Sequence, residues 1–214
     1  MKFISIAAIA FLIAASGATA DSCGSFQDSR GRSSIDFAPL NGFVDVCSRD
    51  FQLCVALTLG YPPSVQTLGY FVSKEEWHLY QNGKHKGFSR YLIAQKGEVL
   101  SGEQFADFKR YVHSQQGDIA DHSKLATLFE QDGRVSLGVI DETEDSVSIG
   151  VVQKLTGTAI KRDWLLAAIN IALQLKGESV SLYVYDTVKN PNDTDRVKAL
   201  AKRWLQCIRE RNSQ

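Results

Sequence analysis

Polar and apolar residues alternate most regularly in two runs, Val135-Ser136-Leu137-Gly138-Val139-Ile140 and Ser146-Val147-Ser148-Ile149-Gly150-Val151-Val152. Side chains along a strand point to opposite faces in turn, so this pattern predicts an antiparallel hairpin around Asp141-Glu142-Thr143-Glu144-Asp145. A helical period closes the chain: Val197, Leu200, Ala201, Trp204, Leu205 and Ile208 form one stripe, backed by Lys198, Lys202, Arg203 and Arg209. That stripe predicts a C-terminal amphipathic helix covering a sheet, its last basic turns matched to the helix dipole. Residues 163–175 read two ways. Ala167, Ala168 and Ala172 favour a helix, whereas Lys176-Gly177-Glu178-Ser179 and the β-rich run 180–185 favour a second hairpin turning at Gly177, which is the preferred reading.

Upstream the elements are shorter. Residues 43–47 predict a strand, and Asp50 caps a helical stretch carrying Leu53, Leu57 and Leu59 until Gly60-Tyr61-Pro62-Pro63-Ser64 ends it. The β-branched and aromatic run 68–72 predicts another strand. Ser73-Lys74-Glu75-Glu76 then reads as the cap and acidic first turn of a helix carrying Trp77 and Tyr80, closed by Asn82-Gly83. Residues 88–95 predict a strand with Phe88, Arg90, Leu92 and Ala94 on one face and Ser89, Tyr91, Ile93 and Gln95 on the other. Ser101 opens a helix with Glu103 and Gln104 in its first turns, and Phe105, Phe108, Tyr111 and Val112 define its packing face until Gly117.

The first residues change the context of all this. Lys2, an apolar run over 3–15 and Ala18-Thr19-Ala20 before the polar switch at Asp21 have the layout of a signal peptide and its cleavage site. Residues 1–20 are therefore expected to be removed and the protein to be periplasmic or secreted. Residues 21–34, rich in Ser, Gly, Arg and Asp, read as a flexible arm, and 35–214 as a single α+β domain. Apolar residues make up 44% of the chain, enough for a core. The 24 basic and 24 acidic residues cancel, so no global field recruits nucleic acid or anionic lipid. After residue 20 the longest apolar segment is interrupted by Asn170 and Gln174, short of the roughly 20 residues a spanning helix needs, so no transmembrane segment is expected. All four cysteines, Cys23, Cys47, Cys54 and Cys207, lie in the exported part, and two disulfides are expected there. Three pairings are open; the closeness of Cys47 and Cys54 favours joining them, which leaves Cys23 for Cys207.

No catalytic constellation stands out. No serine sits on a tight glycine-flanked turn and no cysteine is poised with a histidine. His78, His85, His113 and His122 fall in no metal-binding spacing. The acidic stretch 141–145 lacks the glycine and distal acid of a calcium loop and reads as a solvated hairpin tip. Asn190-Pro191-Asn192-Asp193-Thr194-Asp195 reads as capping sequence for the last helix, and Asn192-Asp193-Thr194 also fits a glycosylation acceptor. No catalytic residue, metal or cofactor is assigned. The strongest candidate surface is Gly60-Tyr61-Pro62-Pro63-Ser64 with Tyr61, Tyr70, Trp77 and Tyr80, whose aromatic rings and rigid backbone suit a recognition groove. A rival reading assembles a hydrolase from a carboxylate of 141–145 with His113 or His122.

The succession of antiparallel strands and short helices, then the hairpin at Gly177, the strand 180–185 and a long terminal helix carrying Trp204, resembles the Mog1/PsbP-like α/β/α sandwich over about residues 125–208. The chain departs from it in the aromatic block 60–91 and in its cysteines. The resemblance implies an α+β fold, mostly antiparallel sheet covered by helices, and a non-catalytic accessory role; it carries over no functional residue. The expectation is thus an exported accessory or binding protein that recognises another protein or an envelope component, with an exported hydrolase and a secreted effector as alternatives.

Overall fold

The structure, a computed structural model, describes residues 23–24, 33–84, 87–117, 119, 124–125, 127–128, 133–155 and 164–213. The expected signal peptide, most of the arm 21–34, His85, His122 and Asp163 lie outside them. In chain order the elements are β1 (Phe43–Asp45), α1 (Val46–Arg49), α2 (Phe51–Thr58), β2 (Gln66–Ser73), α3 (Lys74–Gln81) and β3 (Tyr91–Lys96). They continue with α4 (Gly102–Ser114), β4 (Arg134–Glu142), β5 (Ser146–Leu155), β6 (Trp164–Leu175), β7 (Glu178–Val188) and α5 (Asp193–Asn212). All seven strands join one antiparallel sheet in the order β1-β2-β3-β7-β6-β5-β4. This is an α+β architecture with helices on both faces of the sheet.

Both expected hairpins form. β6 pairs with β7 from Leu165 opposite Val188 to Leu175 opposite Glu178. Their turn places Lys176 at φ 50° and Gly177 at φ 75°, the left-handed pair of a two-residue hairpin turn that matches the strand twist. The alternative helix over 163–175 is overridden because Leu165, Ala167, Ile169, Ile171 and Leu173 are all buried, a period of two that only a strand presents to one layer.

Those residues meet Val180, Leu182, Val184, Leu92, Ala94 and Phe71 on one face of the sheet, where α5 covers them. Trp204 is fully buried at the centre, its indole N–H donating to Ala38 O at 3.2 Å and its ring edge-on to Phe71. The segment 35–40 completes this layer with Ile35, Phe37 and Leu40. Asn212 fixes it there by accepting from Asp36 N and donating to Asp36 O, both at 3.0 Å. Cys207, buried on α5, is bonded to Cys23, and Cys47 to Cys54, the favoured pairing.

Several local expectations shift. Residues 46–47 belong to α1 rather than to the strand, because Asp45 accepts from Cys47 N and starts a helical turn. β3 begins only at Tyr91, so Phe88 packs in the loop with Tyr80 on the face opposite Leu92 and Ala94. Tyr111 of α4 is exposed rather than packed. Asn192 makes no side-chain cap, and Asp193 instead accepts from the upstream amides of Lys189 and Asn190. The acidic tip is not merely solvated: Arg209 of α5 donates to Asp145, Thr143 and Ser146, while Lys109 of α4 donates to the carbonyls of Thr143 and Glu144. Long cationic side chains from both helical layers thus grip one hairpin end.

Candidate functional site

On the face away from α5, strand register sets two parallel rows of side chains. One runs Val72, Tyr91, Tyr185, Ala168, Val151, and the other Tyr70, Ile93, Tyr183, Asn170, Ile149. Directly opposed residues of antiparallel neighbours share a face, so five strands contribute to one continuous floor. At the β2–β3 end α1, α2 and α3 bury this floor: Val44, Val46, Cys54, Tyr70, Val72, Trp77 and Ile93 form a second core.

Toward β6, β5 and β4 the cover changes to α4, and here a cleft of about 820 Å³ opens. Tyr183, Tyr185, Ala168, Asn170, Ile149 and Val151 line it from the sheet, and Phe108, Tyr111, Val112, Gln115 and Gln116 from α4 and its end. Lys124 and Arg134 add positive charge, and no acidic side chain lines the cleft among the described residues. Buried within this floor, the Oδ1 of Asn170 accepts no hydrogen bond among the described residues. A buried acceptor left unmatched costs on the order of 1–3 kcal/mol.

The helix above the cleft is held by polar contacts at its rim. A capping box between Ser101 and Gln104 starts α4. At its far end His113 donates from Nε2 to Glu142 at 2.6 Å, while Gln116 donates to His113 Nδ1 at 2.8 Å and accepts from Val139 N at 3.4 Å. That hydrogen bond, before the nearby Lys109, holds Glu142 below the usual carboxylate range. At the other end Leu100 N donates to Ser179 Oγ, and Gln174 donates to Leu100 O.

A row of tyrosines leads from the cleft into the second core. Tyr183 stacks on Tyr185 with centroids 6.3 Å apart, Tyr185 on Tyr91 at 4.5 Å and Tyr91 on Tyr70 at 5.5 Å. Desolvation, then the neighbouring Tyr61 and Tyr183, pushes the Tyr185 phenol up to about 12. Burial also raises Tyr61, and lifts Tyr70 and Tyr91 well above the ordinary phenol range. These rings therefore stay neutral near pH 7 and offer stacking faces and O–H groups.

Of the residues singled out in the sequence, Tyr61, Tyr70, Trp77 and Tyr80 are brought together in this aromatic cluster. Tyr70 and Trp77 are buried, with Trp77 stacked on Tyr80, while Tyr61 and Tyr80 are half-buried. Tyr183, Tyr185 and Asn170 are not among the residues that the sequence singles out. The available signal was that β7 carries large side chains at odd and even positions alike, which means both faces of that strand are covered. His113 does meet a carboxylate of the acidic stretch, Glu142, yet the pair faces solvent at the rim. Among the described residues the one cluster with metal-ligand atoms is Cys23, Cys207 and Glu210, and the disulfide consumes both thiols.

Against known proteins, no family model matches the chain. No curated protein matches it either. Among solved structures the chain is similar in architecture to the Saccharomyces cerevisiae Ran-binding protein Mog1p. The identity is 11% and the TM-score 0.46, with 89% of this chain and 95% of that chain covered.

Proposed function

We propose that this chain is an exported, non-catalytic binding protein whose ligand seats in the cleft under α4. The observation that carries the reading is the cleft of about 820 Å³ itself, floored by Tyr183 and Tyr185 and edged by Arg134, with no acidic side chain lining it among the described residues. The complementary ligand has an apolar or aromatic body for the tyrosine faces and a negative charge for Arg134. A segment of a partner protein supplies both at once, a large apolar side chain and a carboxylate. The partner is then another protein or an envelope component that presents such a segment.

Binding of an anionic naphthalene-sulfonate dye, which carries an aromatic body and a charge, provides the direct assay. Dye fluorescence should rise saturably with the wild type, be lost in Ala168→Phe, which fills the cleft, and weaken about tenfold in Arg134→Glu. Equal titration of all three proteins would place the ligand elsewhere. Crosslinking pull-down from envelope extract, with Ala168→Phe as control, then identifies the partner.

The hydrolase reading is favoured by one observation, the contact of His113 with Glu142. It predicts turnover of ester or peptide substrates that His113→Ala abolishes; turnover that is absent, or present but unaltered by His113→Ala, rejects it.

A further inference from the structure

We propose that the outer face of α2, with the proline loop behind it, is a ridge that inserts into the interfacial layer of a lipid bilayer with uncharged, zwitterionic headgroups. Phe51, Val55 and Leu59 recur at a spacing of four, which places them on one face of the helix. They are 63%, 43% and 80% exposed. The opposite face carries Leu53, Cys54 and Leu57 into the aromatic core, so α2 is apolar on both sides. Gln52 and Thr58 separate the two apolar faces, of which only the inner one is buried.

The exposed face is rigidly displayed. The Cys47–Cys54 disulfide ties α2 to α1, and Asp50 accepts from Leu53 N at 2.9 Å to cap it. Pro62 and Pro63, both exposed, follow directly. Proline has no backbone N–H, which lowers the cost of moving that loop out of water.

Size and charge select the occupant. A helix of eight residues is about 12 Å long, so one face of it covers far less than the roughly 800 Å² per partner of a stable protein interface. A second copy or a folded partner is poorly served by so small a convex ridge. A bilayer interface has no such threshold, because each apolar side chain partitions on its own and the lipid deforms around it. From residue 51 to residue 73 the chain contains no Asp, Glu, Lys, Arg or His, so nothing on the ridge selects anionic headgroups. The inference stands independently of the cleft.

Flotation of the mature, disulfide-intact protein with phosphatidylcholine vesicles tests it. The wild type should float reversibly with the vesicles, to the same extent in low and high salt and with or without added phosphatidylglycerol. Phe51→Ser and Leu59→Ser, at exposed positions that leave the core intact, should each reduce the vesicle-bound fraction about tenfold while dye binding in the cleft is unchanged. Absence of the wild type from the vesicle fraction, equal flotation of the variants, or binding that appears only with anionic lipid would overturn the proposal. So would concentration-dependent dimerisation in sedimentation that Leu59→Ser abolishes, since it would assign the ridge to a second copy.

Discussion

Glu178 shows how one side chain ties the segment at Ser33 and Ser34 to the sheet. Its carboxylate accepts from Ser34 N and Ser34 Oγ, both at 2.8 Å, and from Ser33 Oγ, and it pairs with Lys96 at 2.8 Å. Desolvation would raise its pKa, but these hydrogen bonds win and hold it down to about 2. A carboxylate depressed in the folded state adds stability that is complete above its ordinary pKa, near 4.5, and is lost as the pH falls from there toward 2. Asp186 runs the opposite way, raised by burial against the pull of Arg196 and Arg90, so the pH profile of the wild type mixes the two. Glu178→Gln separates them. Its thermal midpoint should fall by a few degrees at pH 7, and the drop between pH 4.5 and 2 should become shallower than in the wild type; parallel acid limbs would show that Glu178 contributes nothing. None of this was legible in the sequence, where Glu178 is only a turn residue, because its partners lie some 80 and 145 positions away. Tyr61, Tyr70, Trp77 and Tyr80 were legible as a group because they are close in sequence and chemically alike.

Between Leu175 and Glu178 the chain reverses in two residues, and the turn chemistry is only half suited to it. Gly177 adopts its positive φ freely, but Lys176 at φ 50° holds a conformation that crowds its Cβ. Lys176→Asn should therefore raise stability by about 0.5 kcal/mol without altering the register, measured as a shift in urea midpoint at constant slope; an unchanged or lower midpoint would show that Lys176 makes compensating contacts. Elements of this kind were the most legible part of the fold. The hairpin at 141–145 and helix α5 each carry one dominant period, and β6–β7 was decided by its glycine turn. Boundaries were less legible where a side-chain cap competes with strand pairing, as when Asp45 turns 46–49 into a helix. The cleft itself was illegible at this scale. Its floor comes from consecutive strands, β5, β6 and β7, but its roof is α4, placed by contacts such as Lys109 to Thr143 and His113 to Glu142 across 34 and 29 positions, which leave no local pattern.

At the scale of the molecule, two layers rest on one sheet and are held by different means. The α5 layer is a continuous apolar core, whereas α4 stands over the cleft on polar contacts to the hairpin rim. The disulfides divide in the same way. Cys47–Cys54 closes a short local loop, while Cys23–Cys207 joins the two ends of the described chain across 184 positions. Cross-linking removes entropy from the unfolded chain as the logarithm of loop length, about 5 kcal/mol for the long loop and about 2 kcal/mol for the short one. Beside Cys23, Gly24 donates to Pro39 O at 2.7 Å and accepts from Arg211, so the same bond anchors the segment that packs on α5. Replacing Cys23 and Cys207 together by Ala should lower stability by about twice as much as replacing Cys47 and Cys54 together, in urea unfolding at pH 7. The variants should also separate functionally. Loss of Cys23–Cys207 acts on the face remote from the cleft and should leave dye affinity unchanged wherever the protein remains folded. Loss of Cys47–Cys54 loosens α2 and should weaken vesicle flotation while sparing the cleft. Equal destabilisation by the two pairs would mean that the unfolded chain is already compact enough for loop length not to matter, and that native-state packing around each bond sets its contribution.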